Sequence, residues 1–202
     1  MVFYRIFAEQ ILKEDMKKVA IFASGSGSNA ENLVQYFENH PAITIPFILS
    51  NKSNAMVHER AKRLGVPSYT FTKEEFSNGT VLNMLQDAQI DFIVLAGFML
   101  LINDEMLQAY PQRIVNIHPS LLPKYGGKGM HGDKVHEAVV ANKETQSGIT
   151  IHYLNGEYDA GDVIFQAMCE VLPTDTPEEV ATKVHALEYE HYPKVVEQLL
   201  AE

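Results

Sequence analysis

Apolar residues fall into short blocks along the chain, separated by stretches in which they recur every three or four positions. The blocks Val19–Ala23, Ile43–Ser50, Phe92–Ala96 and Ile114–His118 are largely apolar on successive residues, the pattern of strands buried on both faces. Between them the spacing predicts helices over about 30–39, 55–64, 80–89 and 103–110. This alternation predicts an α/β fold: a doubly wound, mostly parallel sheet, Rossmann-like, with helices on both faces. "SGITIHYL" and "DVIFQAMCEVL" then follow as two strands with no helix between, so an antiparallel edge is expected. In the last segment Thr176 is placed to cap a helix, Pro177 suits its first turn, and Glu178 and Glu179 complement the dipole. That segment predicts a long amphipathic helix, bent or interrupted near Pro193.

No repeat, low-complexity tract or linker divides the sequence, so residues 16–202 read as one domain. Residues 1–15 read as an extension upstream of the first strand, with a docking helix over Tyr4–Leu12 as the alternative. A chain beginning at Met16 is expected to keep its activity and most of its thermal stability, which a melting curve and an assay check. Arg5, Glu9, Lys13, Glu14 and Asp15 break the apolar core that a secretory signal requires.

Charge narrows the partners. A formal net charge of -10 disfavours nucleic acid and anionic membrane surfaces, although a local basic groove still leaves phosphorylated small molecules open. The single cysteine, Cys169, excludes an internal disulfide and suits a reducing, cytoplasmic setting. No apolar run reaches the length of a membrane-spanning helix.

Two motifs carry candidate chemistry. "SGSGSN", residues 24–29, lies where the first strand turns into a helix that opens at Asn29. Glycines there let backbone approach an anion, helix N–H groups point at it, and Ser26, Ser28 and Asn29 add polar groups. A plain tight turn capped by Asn29 is the alternative. The turn lacks the Gly-Lys-Ser/Thr of a nucleoside-triphosphate loop. The second strand ends "ILSNKSN", without the acidic residue of a dinucleotide site, so a small phosphomonoester fits better.

The second motif is "RIVNIHPSLLPKY". Side chains alternate on a strand, so Asn116 and His118 share one face at the strand's carboxyl end, where Pro119 stops it. An amide and an imidazole together can stabilise an oxyanion and move a proton. A carboxylate to orient the histidine comes from Glu157, Asp159 or Asp162, among which spacing does not choose. His131, His136 and His152 lack the spacing of metal ligands, and a surface or loop role is expected for each.

Together, "SGSGSN", "VLAGFM" at 94–99, "NIHPSLLP" at 116–123, "DAGDVI" at 159–164 and "EYEHYP" at 188–193 resemble the glycinamide ribonucleotide formyltransferases of purine biosynthesis. The motifs come in that family's order and cover about residues 17–200. The resemblance implies transfer of a formyl group from 10-formyltetrahydrofolate, a cosubstrate, to the amine of glycinamide ribonucleotide, with no metal. It implies that Gly27, Ser28 and Asn29 hold the substrate phosphate, and that Glu188 contacts the glycinamide end. Met99, Leu100, Leu101 and Ile102, the loop Asn155, Gly156, Glu157 and Tyr158, and Asn116 would line the folate site. Asn116, His118 and Asp159 match the catalytic trio, with Asp159 raising the histidine's affinity for a proton.

Three departures concern the folate tail. Leu100 stands where many members carry a basic residue, "TKEEFSNGTVLNML" lacks an arginine, and the loop from Lys124 to Val139 is a few residues longer than usual. Lys124 or Lys128 are the candidates to compensate. Methionyl-tRNA formyltransferase and formyltetrahydrofolate deformylase share the histidine strand but normally carry an additional domain, so neither is expected for 202 residues of net charge -10. A non-catalytic phosphate-binding module is the rival from another class, and the intact trio argues against it. A monomer or homodimer is expected.

Overall fold

A computed structural model describes residues 16–201, so the expectations for residues 1–15 lie outside the described residues. The first strand, β1 (Lys17–Phe22), shows why the sheet is covered twice. Val19 and Ile21 join one apolar cluster and Ala20 and Phe22 another, on opposite faces. Helices α1 (Ser28–Phe37), α2 (Val57–Leu64) and the C-terminal α7 (Pro177–Ala201) supply residues to the first cluster. Helices α3 (Lys73–Ser77), α4 (Thr80–Asp87) and α5 (Asp104–Ala109) supply the second.

The remaining strands are β2 (Ile43–Thr44), β3 (Ile48–Ser50), β4 (Ser68–Thr70), β5 (Phe92–Leu95), β6 (Ile114–His118), β7 (Gln146–Tyr153) and β8 (Val163–Glu170), with α6 (Asp133–Ala141) between β6 and β7. The order is β4-β3-β1-β5-β6-β7-β8, with β2 paired to the start of β1. Pairs from β4 to β6 are parallel, while β6–β7 and β7–β8 are antiparallel, as the two helix-free strands predict. Among the described residues no helix is long and apolar enough to cross a membrane.

Two expectations change. The block Ile43–Ser50 is two strands, because Pro46 offers no N–H to a ladder; β2 pairs with Lys17–Lys18 and β3 with Ile21–Phe22. Helix α7 runs uninterrupted through Pro193. Proline leaves the Tyr189 carbonyl without its helical donor, and the Asn32 side chain of α1 donates to that carbonyl at 3.0 Å. The capping of α7 is as expected: Thr176 Oγ1 accepts from the Glu179 N–H, and the Glu179 carboxylate accepts from the Thr176 N–H.

The chain leaves β1 toward β3 on one side and returns to β5 on the other. Ligands of open α/β sheets bind at such a reversal, beyond the strands' carboxyl ends.

Candidate active site

A cavity of about 520 Å³ opens at that reversal. Its walls are the turn after β1, the turn after β5, the end of β6, the loop before α6, the loop after β7 and one face of α7. A second, more open hollow of about 600 Å³, beside Phe47, Tyr69 and Met84, shares no residue with it.

Helix α1 starts at Ser28, one residue before the sequence suggests, and Gly27 rather than Asn29 occupies the cap. Gly27 has φ 74, and a Cβ there would lie 2.5 Å from Val57 Cγ2. Both facts require glycine. The uncapped first-turn N–H groups of α1 therefore face the cavity beside the Ser28 hydroxyl. Arg60 Nε donates to the Ser26 carbonyl at 2.8 Å, and Arg60 and Arg63 both pair with Glu31, offsetting the one acidic group in the helix's first turn. Gly27→Ala is expected to lower the melting temperature by about 5 °C or more, from a left-handed backbone cost of about 1–2 kcal/mol plus the clash. An unchanged melting curve would contradict this account of the turn.

Ser24 ties the two turns together. Its hydroxyl donates to Asn51 Oδ1 at 2.6 Å and accepts from the Met99 N–H at 2.9 Å. Met99 and Tyr158 line the cavity. Ile102 is buried in the second core and Leu100 packs against it, so those two side chains serve the fold. Leu101 is 41% exposed and outside the cavity lining. Asn155 braces its own loop, accepting from the Glu157 N–H and donating to the Ala160 carbonyl, and Gly156 turns it with φ 92. Lys124 is engaged by Glu144, whereas Lys128 lines the cavity.

The end of β6 brings the polar groups together. The antiparallel register sets Asn116 opposite His152, and Asn116 Nδ2 donates to His152 Nε2 at 3.2 Å. His152 Nδ1–H donates to the Tyr153 carbonyl at 2.9 Å, which leaves its Nε2 lone pair for the amide. One Asn116 N–H therefore remains for the cavity. His118 Nε2–H donates to the Tyr125 carbonyl at 2.7 Å, and Nδ1 lies 3.4 Å from Asp159 Oδ1. Asp159 Oδ1 is also 3.7 Å from His152 Nε2, and its Oδ2 accepts from the Gly127 N–H at 2.9 Å. Glu157 and Asp162, the other two candidates, are exposed. Asp159 is the carboxylate that reaches the histidine.

Burial pushes the Asp159 carboxyl up, but His152, His118 and the Gly127 N–H outweigh it and hold the group below its ordinary value. For His118 the balance runs the other way. Its burial lowers the pKa, and the opposing pull of Asp159 and of the Tyr125 carbonyl does not make up the difference. This corrects the expectation of a raised value: His118 is neutral at rest near pH 7.

His152 and His136 are also corrected, since both are buried, at 1% and 2% exposure, and neither has a surface role. His131 is exposed in its loop as expected. At the far end of the cavity the buried Glu188 carboxylate accepts from Asn29 Nδ2 at 2.9 Å and from His185 Nδ1 at 2.8 Å. That bond raises the His185 pKa, whereas burial lowers that of His136. Asn29 Nδ2 thus serves Glu188, while Asn29 Oδ1 is buried without a protein partner.

The formyl transferase family matches residues 17–196. The chain belongs to that family. It is 40% identical over 187 residues to the chloroplastic phosphoribosylglycinamide formyltransferase of Arabidopsis thaliana, covering 89% of this chain and 64% of that protein. It is 39% identical to the phosphoribosylglycinamide formyltransferase of Bacillus subtilis, covering 92% of this chain and 95% of the relative. The crystal structure of the Streptococcus pneumoniae phosphoribosylglycinamide formyltransferase superposes with a TM-score of 0.81 at 38% identity, covering 91% of this chain and 99% of that one. The chain spans just under two thirds of the two chloroplastic relatives it matches, 64% and 62% of their lengths.

Proposed function

We propose that this chain transfers the formyl group of 10-formyltetrahydrofolate to the amine of glycinamide ribonucleotide, releasing tetrahydrofolate. The observation that carries the reading is the convergence of Asn116, His118 and Asp159 on one wall of a cavity whose other end is an uncapped helix N-terminus. The folate supplies the formyl carbon; a bond forms from that carbon to the glycinamide nitrogen, and its bond to the folate nitrogen breaks. The first turn of α1, with Ser28, holds the phosphate, and Glu188 holds the glycinamide end. The free Asn116 N–H meets the formyl oxygen as negative charge develops on it. Neutral His118 accepts at Nδ1 the proton that the amine loses and returns it to the departing folate nitrogen. Asp159 stabilises the imidazolium in between. Met99, Tyr158 and the backbone around them flank the folate, and Lys128, which lines the cavity, is the candidate cation for its acidic tail.

On this reading residues 16–202 form one catalytic domain acting on two small molecules in the cytoplasm, as a monomer or homodimer and without nucleic acid. The relatives named phosphoribosylglycinamide formyltransferase support the choice of acceptor. The test supplies the folate with glycinamide ribonucleotide, with its dephosphorylated riboside, or with buffer alone. Turnover is expected with the first, strongly reduced kcat/KM with the second, and none with the third. Equal folate consumption in all three arms would indicate a hydrolase.

Asn29→Ala removes the hydrogen bond that orients the buried Glu188 carboxylate, a loss of about 1.5–3 kcal/mol that falls on folding stability. With Glu188 no longer held for the glycinamide end, the KM for glycinamide ribonucleotide is expected to rise, with that for the folate unchanged. Equal rises in both would mean that Asn29 supports the fold alone.

A further inference from the structure

The loop that follows His118 is fastened at a point outside the cavity. Glu144, just beyond α6, accepts from the Tyr125 hydroxyl at 3.0 Å and from Lys124 Nζ at 3.0 and 3.1 Å. Its carboxylate thus grips two successive residues at the end of "HPSLLPKY". Tyr125 has φ 56, a left-handed backbone uncommon for a bulky residue and retained where surroundings enforce it. The Ser120 hydroxyl donates to the Lys124 carbonyl at 2.6 Å and closes the same turn from inside. The carbonyl this arrangement presents is that of Tyr125, the acceptor of the His118 Nε2–H.

We infer that Glu144 and the Tyr125 side chain are positioning residues for the reaction: by fixing the Tyr125 carbonyl, they keep the His118 proton on Nε2 and leave Nδ1 bare toward the cavity and Asp159. The inference rests on the proposed role of His118 as proton carrier. With a neutral imidazole only one nitrogen holds the proton, and the hydrogen bond made by the other side decides which. A released carbonyl lets the ring populate the other tautomer, in which Nδ1–H points at Asp159 and no acceptor is available for the amine's proton. Neither Glu144 nor Lys124 lines the cavity.

The two ways in which the clamp could fail have opposite signatures. The Tyr125 carbonyl raises the His118 pKa, as do Asp159 and, more distantly, Glu188, whereas burial and His152 lower it. Losing the carbonyl alone lowers the pKa further. Loosening the structure so that water reaches the ring moves it up, toward the ordinary value of about 6.5.

The experiment records ring ¹⁵N spectra of His118 across pH in the full chain, alongside steady-state kinetics, for Tyr125→Phe, Glu144→Ala and Glu144→Gln. The unaltered protein is expected to show the Nε2–H tautomer. In Tyr125→Phe and Glu144→Ala the Nε2–H fraction and the His118 pKa should fall and kcat drop about tenfold, part of the usual general acid–base contribution, with both KM values within about twofold. Glu144→Gln keeps an acceptor for the tyrosine hydroxyl and should restore the tautomer. An unchanged tautomer in both disrupting variants, or a pKa that moves upward, would overturn the inference. Because the spectra need no turnover, absence of formyl transfer by the unaltered protein would contradict the proposed function while the ring measurement still decides the clamp.

Discussion

Replacing Asp159 by asparagine is expected to lower turnover by about a hundredfold or more, the scale of general acid–base contributions. The change is close to isosteric, and the asparagine oxygen can still accept from the Gly127 N–H that Asp159 Oδ2 uses at 2.9 Å. The loop should therefore keep its shape. What disappears is the negative charge 3.4 Å from His118 Nδ1. Burial already holds His118 below its ordinary pKa, and Asp159 is the largest influence opposing it. In Asp159→Asn the His118 pKa must fall further, so the imidazolium that carries the proton forms less readily. NMR titration of His118 checks the sign. A collapse of activity with an unmoved pKa would assign Asp159 to holding the loop or a water. Retained activity would remove it from the catalytic group.

Asn116→Ala is the second large effect. Removing one oxyanion-directed donor costs about 10²–10³ in kcat. Truncation also leaves His152 Nε2, 3.7 Å from Asp159 Oδ1, without the amide that donates to it at 3.2 Å. The predicted signature is a loss in kcat with both KM values little changed. A rise in KM at constant kcat would make Asn116 a binding group whose contact is equally strong before and during the reaction.

The sheet was legible because its strands carry apolar residues on both faces, and only helices on both sides satisfy that pattern. Ile114–His118 has the predicted bounds, and its alternation places Asn116 and His118 on one face. What escaped was local. Helix α3 lay behind a capping box, Thr72 with Glu75, that five residues are too short to announce by periodicity. Helix α6 follows a glycine-rich loop, and its buried valines, Val135 and Val139, span a single turn, too short a stretch to announce a helix by periodicity. Pro193 read as a break because the donor that compensates it, Asn32, is distant in sequence.

The same distance hid parts of the site. His152 meets Asn116 through an antiparallel register, and Arg60 reaches Ser26 from another helix; neither contact leaves a motif. Asp159 could be chosen over Glu157 and Asp162 by family resemblance, whereas the residues alone left three choices. Its φ of 53 and the Gly127 contact show how the loop turns this one carboxylate inward. The depressed His118 pKa depends on the depth of burial at the strand's end, which a pattern of residue types does not measure.

The central claim is that the formyl carbon passes to the ribonucleotide amine. Its most direct test mixes the protein with 10-formyltetrahydrofolate labelled with ¹³C at the formyl carbon and an equivalent of glycinamide ribonucleotide, and follows the label by NMR. The account predicts that the label leaves the folate and reappears as the formamide of the ribonucleotide, one for one with tetrahydrofolate formed. Label recovered as free formate, or remaining on the folate, would contradict it.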